Sequence, residues 1–145
     1  MIVQQGVDTL GHQQLLDAPA RGLQGVVRRT YKLAGPAIGR RIANALHGTW
    51  LGHSLHPALT DMVIGAWTGG VLFDTLGALD ERRAYSRCAD VSVALGVATG
   101  LPTVLAGLTD WQYTAGDARR VGLVHGLVNL RGARAAGFCA GHGRG

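Results

Sequence analysis

Apolar and polar positions alternate differently in the two parts of the chain. Residues 1–20 are mostly polar and irregular, which predicts a lead with no fixed element. From Leu23 to Leu46 the apolar positions Val26, Leu33, Ile38, Ile42 and Leu46 fall on one side, opposite several arginines. That spacing predicts a basic amphipathic helix, interrupted where Gly35 precedes Pro36. It fits a helix lying on the cytoplasmic membrane surface, and equally a solvated basic linker. Beyond His47 the apolar residues run together. Pro57 to Leu79, "PALTDMVIGAWTGGVLFDTLGAL", reads as a first span, with Pro57 suited to a helix start. The loop "DERRAYSRCAD" leads to a second span, Cys88 to Leu108. It contains Pro102, which a membrane helix tolerates when neighbours satisfy the freed carbonyl.

A third apolar segment, Val121 to Leu130, begins like the others and then stops after ten residues, too few to cross a bilayer. The last residues of the chain, "RGARAAGFCAGHGRG", differ from the rest in composition. The expectation is therefore all-α: a small integral-membrane helical bundle of about three apolar helices with a basic amphipathic N-terminal segment. Its parts are 1–46 (polar lead and basic segment), 47–130 (membrane domain) and 131–145 (atypical Gly/Arg-rich tail).

Composition strengthens the membrane reading. Charged residues make up 16% of the 145, against about a quarter in soluble domains. The 18 residues from Val91 to Leu108 carry no charge. The net charge is +5, and Arg21, Arg28, Arg29, Lys32, Arg40 and Arg41 all precede the first span. Such cations stay on the cytoplasmic side and attract anionic headgroups. This predicts a multi-pass protein of the inner membrane with its N-terminus cytoplasmic. Nothing resembles a nucleic-acid reader motif. Cys88 and Cys139 form neither a disulfide framework nor a four-cysteine metal site, so no iron–sulfur cluster is expected. No apolar leader opens the chain.

The candidate chemistry is gathered in "HGTWLGHSLHPALTD", where His47, His53, His56 and Asp61 stand at the mouth of the first span. Carboxylates inside a span mark function more often than not, and Asp61 and Asp74 both qualify. Asp61 near a helix N-terminus also has a plain electrostatic explanation. Histidine is the common transition-metal ligand, and a carboxylate can orient it. No closed zinc signature is present. If the spans run antiparallel, His125 reaches the same depth as His53 and His56. Two histidines on facing helices can hold haem b axially; the alternative is that the same groups are hydrogen-bonded to Asp61 or to a backbone carbonyl. Gly122 and Gly126 would let helices approach closely. Trp50 and Trp111 read as interfacial belt residues, Trp67 as a packing residue. No nucleophile, base and orienter occur together, so no catalytic activity is expected.

"GHSLHP" at Gly52–Pro57, "AGLTDW" at Ala106–Trp111 and "HGLVNL" at His125–Leu130, in this order, resemble the DUF2231 family of bacterial membrane proteins. The likeness covers about Leu46 to Leu130. It implies a helical membrane domain of about four spans, with His53, His56, Pro57, Asp61, Asp110, Trp111, His125 and Asn129 matching the family pattern. The basic lead also looks like that of relatives fused to a Rieske-type iron–sulfur domain, which implies a setting in membrane electron transfer and a redox partner. Ser54 replaces the family's usual proline. The family's fourth helix is missing, as a truncation or a shifted reading frame would produce. The resemblance and the residues leave three expectations. One is an electron-transfer component with His53, His56, His125 and Asp61 around haem or a metal. Another is a cofactor-free scaffold or interaction protein, with a homo-oligomer as one form. The last is a non-functional fragment.

Overall fold

The computed structural model describes residues 2–80 and 83–142, with side chains described over 5–9, 11–80 and 84–132. Its six helices are, in order, α1 (Ile2–Gly11), α2 (Asp17–Leu33), α3 (Pro36–His47), α4 (Leu55–Leu79), α5 (Arg83–Trp111) and α6 (Gly116–His142). Single 3₁₀ turns occupy Gln14–Leu16 and Thr49–Leu51. There are no strands among the described residues.

α4 and α5 form an antiparallel hairpin. Gly77 lies against Tyr85, Gly70 against Val93, Gly96 against Trp67, and Gly107 against His56. Each step up α4 is thus matched by a step down α5. Glycine at these crossings lets the backbones and rings approach. Both helices are long and apolar enough to cross a membrane. Only 6% and 11% of their most apolar windows are buried in the protein. The core helix of a soluble protein would be largely buried, whereas Val71 and Leu101 stand 69% and 68% exposed. The apolar outer surface of this hairpin is what a lipid environment covers. Among the described residues, α4 and α5 alone have the length and apolar character to cross a membrane; α6 does not. It continues helically through the change of composition to His142 and touches α5 near its own beginning, where Gly122 receives the Trp111 ring.

At the open end of the hairpin the chain builds a second, polar layer. The α2–α3 elbow forms where expected: Gly35 takes φ +82° and Pro36 opens α3. A Cβ on Gly39 would lie 2.7 Å from the Tyr31 carbonyl oxygen, so only glycine lets the two helices close this tightly. α2 buries Ala20 and Gln24 and turns Leu23, Val26 and Leu33 outward. Ala20, Trp111 and Leu123 form the buried apolar cluster, with Leu16 and Leu108 packed on it.

The segment 1–20 is not irregular. α1, a 3₁₀ turn and the start of α2 account for most of it. The reason is tertiary. Arg120 of α6 donates to the Gly11 carbonyl, and Asp17 accepts from Arg119 (3.1 Å) and Arg120 (2.9 Å). First Arg120 and then Arg119, by hydrogen bonding, hold the Asp17 carboxyl well below the usual carboxylate range; in return Asp17 raises Arg120. The group stays ionised at any ordinary pH.

Candidate functional site

Two short glycine-ended turns set the geometry. α3 ends at Gly48 (φ +77°) and the next turn ends at Gly52 (φ +75°), both left-handed conformations that favour glycine. This tight return carries His47, at the end of α3, back beside the end of α5. There the His47 Nδ1–H donates to Asp110 Oδ1 at 2.5 Å. Ser54, the residue before α4, donates to Asp110 Oδ2 at 2.9 Å. One carboxylate therefore ties three segments together. Ser54 and His47 both donate to the acid rather than bonding to each other, so the imidazole does not stand against the hydroxyl as it does in a Ser–His pair.

His56 falls in the first turn of α4 and faces α5. A carbonyl can only accept, so the His56 Nδ1–H donates to Thr103 O, at 2.9 Å. Gly107 makes room: a Cβ there would lie 2.8 Å from the imidazole. Nε2 carries the lone pair and has no hydrogen-bond partner among the described residues. The His125 ring lies 6.3 Å from it, centroid to centroid, nearly perpendicular. His125 Nε2 accepts from Asn129 Nδ2 at 3.0 Å, and the same amide donates to the His125 carbonyl at 2.9 Å.

Of the expected site residues, His56 and His125 come together. His53 lies in the exposed turn before α4 and donates to the Ser54 carbonyl at 3.0 Å. Asp61 is exposed on α4 and meets no imidazole; the carboxylate that orients a histidine is Asp110. Among the described residues, no three histidine, cysteine or carboxylate side chains form a metal-holding group. Trp111 is not a belt residue but a buried one, 8% exposed, whose indole N–H donates to the Arg119 carbonyl at 2.9 Å. Trp50 remains exposed, and Trp67 packs on Gly96 as expected of a mid-span residue.

Sequence reasoning missed the fastening of α2. Gln24 Nε2 donates to the carbonyls of Trp111 (2.9 Å) and Thr114 (3.1 Å), and Arg28 to that of Gln112 (2.6 Å). These are carbonyls at and just beyond the end of α5, where helical partners run out. A cation there also meets the negative end of the helix dipole. Tyr31 OH and Thr109 Oγ1 are 2.5 Å apart. A single clue was available: Gln24 comes one turn after Ala20, on the side of α2 that also carries Asp17, Arg28 and Tyr31.

The family model for the predicted membrane protein DUF2231 matches residues 52–135, more than half of the chain. The chain belongs to the DUF2231 family. The match begins at Gly52 and so takes in both apolar helices of the DUF2231 domain, Asp110, and the His56–His125 pair, while α1–α3 precede it. No curated protein and no solved structure matches the chain.

Proposed function

We propose that this DUF2231 protein is a membrane scaffold: a two-helix anchor that holds a folded basic layer, α1–α3, against one face of the bilayer. The observation that carries this reading is the fastening of α2. Four of its side chains, Asp17, Gln24, Arg28 and Tyr31, bond across to the α5–α6 corner. The described histidines of the site support it as well. His47, His53, His56 and His125 each have a hydrogen-bond partner within the chain, as structural polar groups near an apolar hairpin do. In this reading the multi-pass hairpin sits in the inner membrane with α1–α3 cytoplasmic, since six cations lie on that layer.

A second reading, electron transfer through haem b or a transition metal, is favoured by the His56–His125 pair. Two metal–nitrogen bonds of about 2.1 Å plus the ring radii span a distance of the order observed. His56 fits, because its Nδ1–H is held by a carbonyl and its Nε2 is left as donor to a metal. His125 fits less well, because Asn129 occupies its Nε2. Asn129 would have to turn away before both rings could ligate. A redox partner, including a Rieske-type protein, belongs to this reading alone.

The separating experiment is an absorption spectrum of the detergent-purified full chain, oxidised and then reduced with dithionite, with metal analysis of the same sample. The scaffold reading expects no haem band and no stoichiometric metal. A reduced-minus-oxidised haem signal, or a stoichiometric metal, that His125→Ala abolishes overturns it in favour of the second reading.

A further inference from the structure

The elbow between α2 and α3 leaves an open, shallow recess of about 190 Å³. Tyr31, Lys32, Gly35, Pro36, Arg40 and Tyr113 line it. The volume is below the range of drug-sized ligand sites, about 300–1,000 Å³, and suits a small headgroup. Two of the lining residues are cations. Neither Lys32 nor Arg40 forms an ion pair among the described residues, whereas Arg119 and Arg120 are held by Asp17. An ammonium and a guanidinium in one recess are the usual partners of a phosphate.

We infer that the α2–α3 elbow binds the headgroup of an anionic phospholipid, with Lys32 and Arg40 on its phosphate. Three observations commit the site to a lipid. The elbow sits at the end of the hairpin where α4 begins and α5 finishes, as the Ser54–Asp110 and Tyr31–Thr109 bonds show. It is therefore continuous with the membrane spans. Next to the cations, Leu33, Ile38 and Ile42 are exposed on the same two helices, and Trp50 comes next in the adjoining turn. An apolar surface beside a basic recess complements an acyl chain below a phosphate. The glycines at Gly35 and Gly39 close the elbow without side chains that would fill it. This inference rests on the basic layer being folded against the hairpin.

The test uses the full chain purified in dodecyl maltoside. Native mass spectrometry counts lipid retained after titration with dioleoyl phosphatidylglycerol or dioleoyl phosphatidylcholine mixed micelles. One phosphatidylglycerol should bind at least about tenfold more tightly than phosphatidylcholine. Lys32→Gln with Arg40→Gln should abolish that preference. Arg29→Gln with Arg41→Gln, the same loss of charge outside the pocket, should keep it. Equal loss in both double variants, or no preference in the wild type, overturns the pocket. Displacement by millimolar inorganic phosphate makes it a soluble-anion site and overturns the lipid. Hydrogen exchange over residues 17–47 is read on the same samples. Slow exchange without lipid preference sinks only this inference; fast exchange in the wild type sinks the folded layer too.

Discussion

Gly48→Ala should unfasten the polar layer and lower stability by at least about 2 kcal/mol. Two costs add. Gly48 has φ +77°, where an L-residue is strained by about 1–2 kcal/mol. A Cβ there would also lie 2.4 Å from the His53 carbonyl oxygen and 2.7 Å from the Leu55 nitrogen. Both are backbone atoms, at the entry to α4, and neither can step aside without opening the turn that brings His47 and Ser54 to Asp110. Gly52 provides the control. Its φ is +75° but nothing lies within 4 Å of an added Cβ, so Gly52→Ala carries the conformational cost alone. Thermal unfolding in detergent should place Gly48→Ala roughly 5–15 °C below the wild type and clearly below Gly52→Ala. Equal midpoints for the two variants would show that the turn is not packed as described.

The second large effect is expected in the middle of the hairpin. A Cβ on Gly96 would fall 2.2 Å from Trp67 Nε1 and 2.3 Å from its Cδ1. An indole held between two helices has no small displacement that relieves this, and overpacking of such a site costs about 1–3 kcal/mol. Gly100, one turn further along α5, faces open space. Gly100→Ala should be neutral or slightly stabilising, because alanine is the better helix former by about 1 kcal/mol. Trp67→Phe should rescue Gly96→Ala in part, since the smaller ring makes room. It also removes an indole N–H that is buried without a partner among the described residues. Melting of the wild type, both single variants and the double variant as a cycle reads this coupling directly. Gly96→Ala behaving like Gly100→Ala would mean that the helices do not meet at this register.

The spans were legible because apolar runs and their proline punctuation are local signals. α4 begins two residues before Pro57, and α5 starts eight residues before its uncharged stretch, Val91 to Leu108, and ends three after it. The break at Gly35–Pro36 was legible for the same reason. The full length of the third helix was not, because "RGARAAGFCAGHGRG" lacks an apolar face yet its first twelve residues remain helical. α1 was missed because its fixation comes from Arg120 of α6, which donates to the Gly11 carbonyl from about a hundred positions away and carries no motif.

The site was half legible. Antiparallel spans predict that His125 reaches the depth of His56, and the two rings do meet. Proximity in sequence favoured Asp61 as the orienting carboxylate. The hairpin instead delivers Asp110, from the far end of α5, to His47 and Ser54. Trp111 looked like a belt residue because tryptophan beside an aspartate at a span's end usually is one. Gly122 overrides that by opening a slot for the indole against α6. The Gln24 and Arg28 fastenings depend on which helix end lies beneath α2, which no local pattern encodes.

A hairpin that crosses the membrane puts its two open ends and the polar layer on one face. The measurement closest to this is single-cysteine labelling in sealed membrane vesicles, in a Cys88→Ser, Cys139→Ser background. Asn44→Cys on α3, Ala115→Cys before α6 and Asp80→Cys after α4 are probed with a membrane-impermeant maleimide. Asn44→Cys and Ala115→Cys should label from one side, in inverted vesicles, and Asp80→Cys only from the other. Labelling of Asp80→Cys from the same side as Asn44→Cys would contradict a spanning hairpin.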